Sequence, residues 1–117
     1  MRLLLALLPA LWAGNSLGAA ELAGQTADQR IEALLVQVLA QPDVQFIRNG
    51  TPYDAATAVK FLRAKWDRQR AAIRTVHDFI DQVATKSSTT GQPYLIRFKD
   101  GRTVACRDFL TRLLTET

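Results

Sequence analysis

The sequence predicts an α+β domain, mainly helical, with about four helices and a small two- or three-stranded antiparallel sheet. Four stretches repeat apolar residues at helical spacing. Two short stretches rich in β-branched and aromatic residues adjoin the turn pairs Asn49-Gly50 and Asp100-Gly101. A chain of 117 residues supplies one compact core but not two.

The first helix runs from Gly24 to Ala40. Thr26 and Gln29 stand three apart as a capping box, Ile31, Leu34, Leu35, Val38 and Leu39 share one face, and Pro42 stops the helix. Val44 to Arg48 is a short strand running into Asn49-Gly50, a pair that tolerates left-handed backbone angles. The second helix begins near Thr51 to Asp54, where Thr51 or Asp54 can cap and Pro52 suits a first turn. Its buried stripe is Ala55, Ala58, Val59, Leu62, Trp66 and Ile73, with Lys65 on the edge and Lys60, Arg63, Asp67, Arg70 and Arg74 opposite. A third helix starts at Thr75, with Asp78 as the other half of a capping box and Val76, Phe79, Ile80, Val83 and Ala84 at helical spacing.

A polar loop, Lys86 to Pro93, comes next. Tyr94, Ile96 and Phe98 then alternate with Leu95 and Arg97, and Asp100-Gly101 is a two-residue turn before Thr103 and Val104. The last helix, Arg107 to Leu114, buries Phe109, Leu110, Leu113 and Leu114. If the strand ending at Arg48 pairs with the one starting at Tyr94, the Arg48 turn comes to lie beside the serine-rich loop.

The chain start has the order of a secretory signal: Arg2, an apolar run from Leu3 to Ala13, then small residues with Gly18 and Ala20 three residues before and one before a cut. The expected division is residues 1–20 as a cleaved signal peptide and 21–117 as one small periplasmic domain. The apolar run is about a dozen residues, against about 20 for a span, so no transmembrane segment is expected after cleavage. Losing Arg2 leaves 14 basic against 11 acidic side chains, a mild surplus that argues against a nucleic-acid partner. The single cysteine, Cys106, excludes an internal disulfide. It stands near a helix start, where a thiol's pKa can fall, and is either a small core residue or the link to a second copy, in a Cys106-linked dimer, or to a redox partner.

No complete catalytic set emerges. Lys86, Ser87 and Ser88 suggest a lysine-activated serine, but adjacent residues do not face one another as that chemistry needs. Ser87, Ser88 and the Gly91 amide could instead donate to an anionic or sugar group, with Tyr94 as an aromatic wall. Arg48 and Asn49 occupy a turn from which a guanidinium fork can hold a carboxylate or phosphate. Lys65 is either a buried base with a lowered pKa or a side chain that snorkels its amine into water. The arginines of the second helix, Arg63, Arg68, Arg70 and Arg74, form either a lipid-facing patch or an ordinary solvated face. His77 has no second histidine or cysteine at metal spacing, so no metal and no cofactor are expected.

The ordered string Phe46-Ile47-Arg48-Asn49-Gly50, Tyr53, Leu62-Arg63-Ala64-Lys65, Ile73-Arg74-Thr75, Phe79-Ile80 and Lys86 to Arg97 resembles the YfeK-like family of small exported bacterial proteins, a domain-of-unknown-function family. The resemblance covers essentially the whole mature chain. It implies a Gram-negative periplasm and no established activity. Members often carry cysteine at Val44, histidine at Phe61 and glutamate at His77, and this chain cannot copy any chemistry that needs those residues. The expectation is a non-catalytic periplasmic binding or accessory protein with an envelope ligand or protein as partner. Its surface would be Arg48, Asn49, Tyr53, Ser87, Ser88, Gly91 and Tyr94. The alternative is a small envelope-acting hydrolase or transferase with Lys65 as base and Arg48 as anion holder.

Overall fold

The computed structural model describes residues 24–116. The expected signal segment, 1–20, lies outside them. The described chain is α+β and mainly helical, with four α-helices and a four-stranded antiparallel sheet, one strand or more beyond the expectation.

Helix α1, Ala27–Leu39, opens on the capping box, with the Thr26 hydroxyl accepting from the Gln29 amide and the Gln29 side chain accepting from the Thr26 amide. Ile31, Leu34, Leu35 and Val38 are buried, whereas Leu39 is 47% exposed. The apolar stripe therefore ends one residue early: Leu39 is the last helical residue and falls beyond the packed turns.

Strand β1, Gln45–Arg48, turns through Asn49 and Gly50 into β2, Thr51–Tyr53. This corrects the reading of Thr51 and Pro52 as a helix start. Asn49 and Gly50 both have positive φ, 52° and 81°, the geometry of a two-residue hairpin whose twist matches its strands. Helix α2, Ala55–Arg68, starts later, with the Asp54 carboxylate accepting from the Thr57 amide at 2.8 Å. That bond to the ionised form holds the Asp54 carboxyl below its ordinary range.

After α2 a 3₁₀ turn, Arg70–Ala72, leads Ile73 into the core in extended conformation. Helix α3 is a single α-turn, Val76–Asp78, on the predicted Thr75–Asp78 capping box, and it widens at once into a π-turn, Phe79–Val83. The Thr85 hydroxyl donates to the Ile80 carbonyl at 2.7 Å and so satisfies one group freed at that end.

Strands β3, Leu95–Arg97, and β4, Thr103–Ala105, form the second hairpin. Its turn has three residues rather than two: the Phe98 amide donates to the Arg102 carbonyl, and Gly101 takes a φ of 91°. Helix α4, Cys106–Thr115, closes the fold.

The strand order is β2-β1-β3-β4, so the two hairpins join through β1 and β3 with Phe46 opposite Ile96 and Ile47 opposite Leu95. Strand alternation puts Phe46, Tyr53, Ile96 and Val104 on one face, toward the helices. Helix α2 contacts β1, α4 contacts β3, and α1 packs against both helices. No described helix is long and apolar enough to cross a membrane.

Candidate functional site

The pairing of β1 with β3 brings the two polar elements together. Continuing the register one residue past Ile47 and Leu95 sets Arg48 beside Tyr94, the last residue before β3. The hydroxyl of Thr90 donates to the side-chain oxygen of Asn49 at 2.5 Å, tying the serine-rich loop to the β1–β2 turn. Because this bond crosses from one hairpin tip to a remote loop, it can be tested. Asn49→Gly keeps the positive φ but removes the acceptor, and should cost about 1 kcal/mol in chemical denaturation. Asn49→Ala, which also strains the turn, should cost more. No loss in Asn49→Gly would mean that the bond contributes nothing.

Beneath this junction lies Lys65, only 5% exposed. Its Nζ donates to the Lys86 carbonyl at 2.6 Å and to the Tyr94 hydroxyl at 3.2 Å, and it lies 4.9 Å from the Tyr94 ring centroid. The side chain thus fastens the second helix to both ends of the loop. Of the two readings open from sequence, burial is the observed one. Burial, reinforced by the positive charges of Arg68, Arg48 and Lys86, lowers the Lys65 pKa from the ordinary lysine value. Burial also raises the Tyr94 hydroxyl, against the opposing pull of Arg48 and Arg68.

Arg48 is half-buried, with its guanidinium carbon 4.4 Å from the Phe61 ring centroid. Tyr53 meets the same ring edge-on at 4.8 Å. Phe61 is therefore a platform that orients Arg48, and Tyr53 acts by supporting Phe61. Spacing alone did not mark Phe61 as part of this region.

The loop residues divide. Ser87 is 3% exposed, and its hydroxyl lies 3.0 Å from the Thr89 hydroxyl and accepts weakly from the Thr89 and Thr90 amides. The Gly91 amide donates to the Ser87 carbonyl at 3.0 Å, and Gly91 takes a φ of 75°. Both groups are thus occupied in building the loop rather than offered to a ligand, as hydroxyl-rich turns commonly are. Ser88 is exposed. Tyr94 is buried against Phe46, ring centroids 5.0 Å apart, so only its hydroxyl end addresses the cationic cluster and it forms no open aromatic wall.

Cys106 lies in the core behind this face, its amide donating to the Tyr94 carbonyl at 2.8 Å. The thiol is 1% exposed, and burial pushes its pKa up to about 12. Of the readings open from sequence, the small core residue is the observed one: at the start of α4 the cost of burying a thiolate exceeds the help of the helix dipole. A Cys106-linked pair would require each copy to open at α4. Of the arginines expected on the second helix, Arg63 pairs with Glu32, and Arg70, in the 3₁₀ turn after α2, pairs with Asp28 at 3.1 Å and Asp67 at 2.9 Å. These two act between α1 and α2 and are not free to form a lipid-facing patch. No cluster of three or more metal-ligating side chains occurs among the described residues.

Comparison with known proteins adds a family but no chemistry. Over 67 residues the chain is 42% identical to "Uncharacterized protein YfeK" of Salmonella typhimurium, a match covering 57% of this chain and 56% of that relative. The chain thus spans little more than half the length of the curated relative it matches. No solved structure matches. The model of the "Family of unknown function (DUF5329)" matches residues 25–117, nearly all of the chain beyond its apolar start, and the chain belongs to that family.

Proposed function

We propose that the chain is exported and serves in the periplasm as a non-catalytic binding or accessory protein of the cell envelope, through the face at the Arg48–Asn49 turn and the Ser87–Tyr94 loop. The observation that carries this reading is the Thr90–Asn49 bond above the buried Lys65, which holds two remote polar segments as one surface. A positioned polar surface on a rigid scaffold suits recognition. The signal-like order of the chain start supports export.

The test is thermal melting of the purified protein with envelope components: peptidoglycan fragments, lipopolysaccharide and phospholipid vesicles. A ligand at a hundredfold excess over its Kd adds about 2.7 kcal/mol of stability, an upward shift of roughly 10–20 °C for a domain this size. No shift with any component would remove the reading.

The lowered pKa of Lys65 favours a second reading, a hydrolase or transferase with Lys65 as base and Arg48 as anion holder. Against it, the recorded partners of Nζ are a carbonyl and a phenol, and the Ser87 hydroxyl is engaged within its own loop. Turnover of an envelope substrate that disappears in Lys65→Met would establish this second reading and displace the first.

A further inference from the structure

Most of the acidic side chains that pair do so away from the Lys65 junction. Glu32 takes Arg63, Asp28 and Asp67 take Arg70, Asp81 takes Arg107, and Asp43 takes Lys99. Arg48, Lys65, Arg68 and Lys86 form a contrasting group. Each bears on the Lys65 amine as a like charge or is that amine, and none has a carboxylate within 4 Å among the described residues. Lys65 and Arg68 stand three residues apart on α2 and so share a helix face, while Arg48 reaches the same place from β1 over Phe61. Like charges gathered without a counter-charge are destabilising, and a bound anion relieves them.

Hydrogen bonding at the centre points the same way. A lysine amine has three donors, and Lys65 uses one on Lys86 and one on Tyr94, so a third has no recorded acceptor among the described residues. The Tyr94 hydroxyl accepts from Lys65 and from the Arg48 side chain, both of them donors, which leaves its own O–H without an acceptor among the described residues. Both hydrogens call for an oxygen that is not supplied by the described chain.

We propose that the cluster of Arg48, Lys65, Arg68 and the Tyr94 hydroxyl binds a phosphate monoester group. The inference rests on reading this face as a binding surface and names the chemistry of its ligand. Charge decides between oxyanions: three or four cations exceed what one carboxylate neutralises, whereas a phosphate monoester carries about −1.5 to −2 at neutral pH and offers three acceptor oxygens. The guanidinium groups of Arg48 and Arg68 match two of those oxygens, and the Lys65 amine lies at the base of the cluster. Sharing that charge favours the protonated amine and opposes the effect of its burial.

The experiment is titration calorimetry of the purified protein with inorganic phosphate and with glycerol 3-phosphate at fixed ionic strength. Flotation with vesicles containing phosphatidic acid, against vesicles of phosphatidylcholine alone, follows. Saturable binding of both small phosphates is expected, with affinity lowered about tenfold in Arg68→Gln and in Arg48→Gln. Arg112→Gln, at the far end of α4, should leave it unchanged. Arg68 is exposed, so its variant keeps the test independent of folding at Lys65. Tight vesicle binding in addition to the small phosphates would identify a lipid headgroup as the source. Its absence would leave a free phosphate ester as the source.

Phosphate binding no better than chloride, or equal losses in Arg68→Gln and Arg112→Gln, would overturn the proposal. In that event a melting shift with phosphate-free peptidoglycan fragments would show that the binding-surface reading survives without it. No shift would remove both.

Discussion

Replacing Phe79 with alanine should cost the fold about 3–5 kcal/mol of stability. Phe79 is fully buried and meets Trp66 edge-on with ring centroids 5.7 Å apart and an interplanar angle of 78°, where the π-turn packs against α2. Truncating a buried aromatic costs about 3–5 kcal/mol, and a domain of this size has roughly 5–15 kcal/mol in total. In urea the midpoint should fall by about 2–4 M. A useful contrast is Trp66→Phe. The Trp66 indole nitrogen is buried without a hydrogen-bond partner among the described residues, and Arg70 covers the ring at 3.7 Å from its centroid. Phenylalanine loses some contact but also removes that unsatisfied donor, so Trp66→Phe should cost much less than Trp66→Ala. Similar losses would mean that the part of the indole missing from phenylalanine makes the contacts that count at Trp66.

The second large effect is in alkali. The Cys106 thiol has its pKa raised from 9.0 to about 12 in the folded protein. Above pH 9 the unfolded chain releases this proton while the folded one keeps it. The stabilising contribution is therefore full below about pH 9 and is lost as pH climbs toward 12. At pH 10.5 the loss is roughly 2 kcal/mol, from about 1.36 kcal/mol per unit. Tyr94, also raised, acts in the same direction. Lys65 acts oppositely, because its lowered pKa makes the charged form costly and that cost recedes as pH rises. Melting temperature measured from pH 8 to 10.5 should thus fall in the native protein and fall less steeply in Cys106→Ala, whatever constant offset the smaller side chain introduces. Parallel curves would show that the thiol ionises as it does in water.

The fold class was readable from sequence because local signals agreed with one another. Thr26 with Gln29 and Thr75 with Asp78 marked two helix starts that the structure confirms as reciprocal caps. The alternation around Ile96 and the turn at Asn49-Gly50 placed β3 and β1 correctly. What was missed depends on partners remote in sequence. Strand β2 has three residues, too few for a period-two pattern, and Pro52 suits a helix start as well as a strand edge. The π-turn leaves the same apolar spacing as an α-helix over one turn. Whether Lys65 snorkels or buries its amine is decided by the Lys86 carbonyl and the Tyr94 hydroxyl, 21 and 29 residues away. Phe61, unremarkable by type and spacing, matters only once β1 carries Arg48 across it.

Pro52 also blunts one rim of the sheet. In a two-residue hairpin Arg48 and Thr51 form the closing hydrogen-bonded pair, so the next pair, Ile47 with Pro52, turns its backbone groups outward. Strand β2 lies at the rim of the sheet, and proline there deletes the one amide that would greet an incoming strand. A neighbour seeking to extend the ladder finds no donor at that position. That guards the rim against fibril-like growth in a crowded compartment.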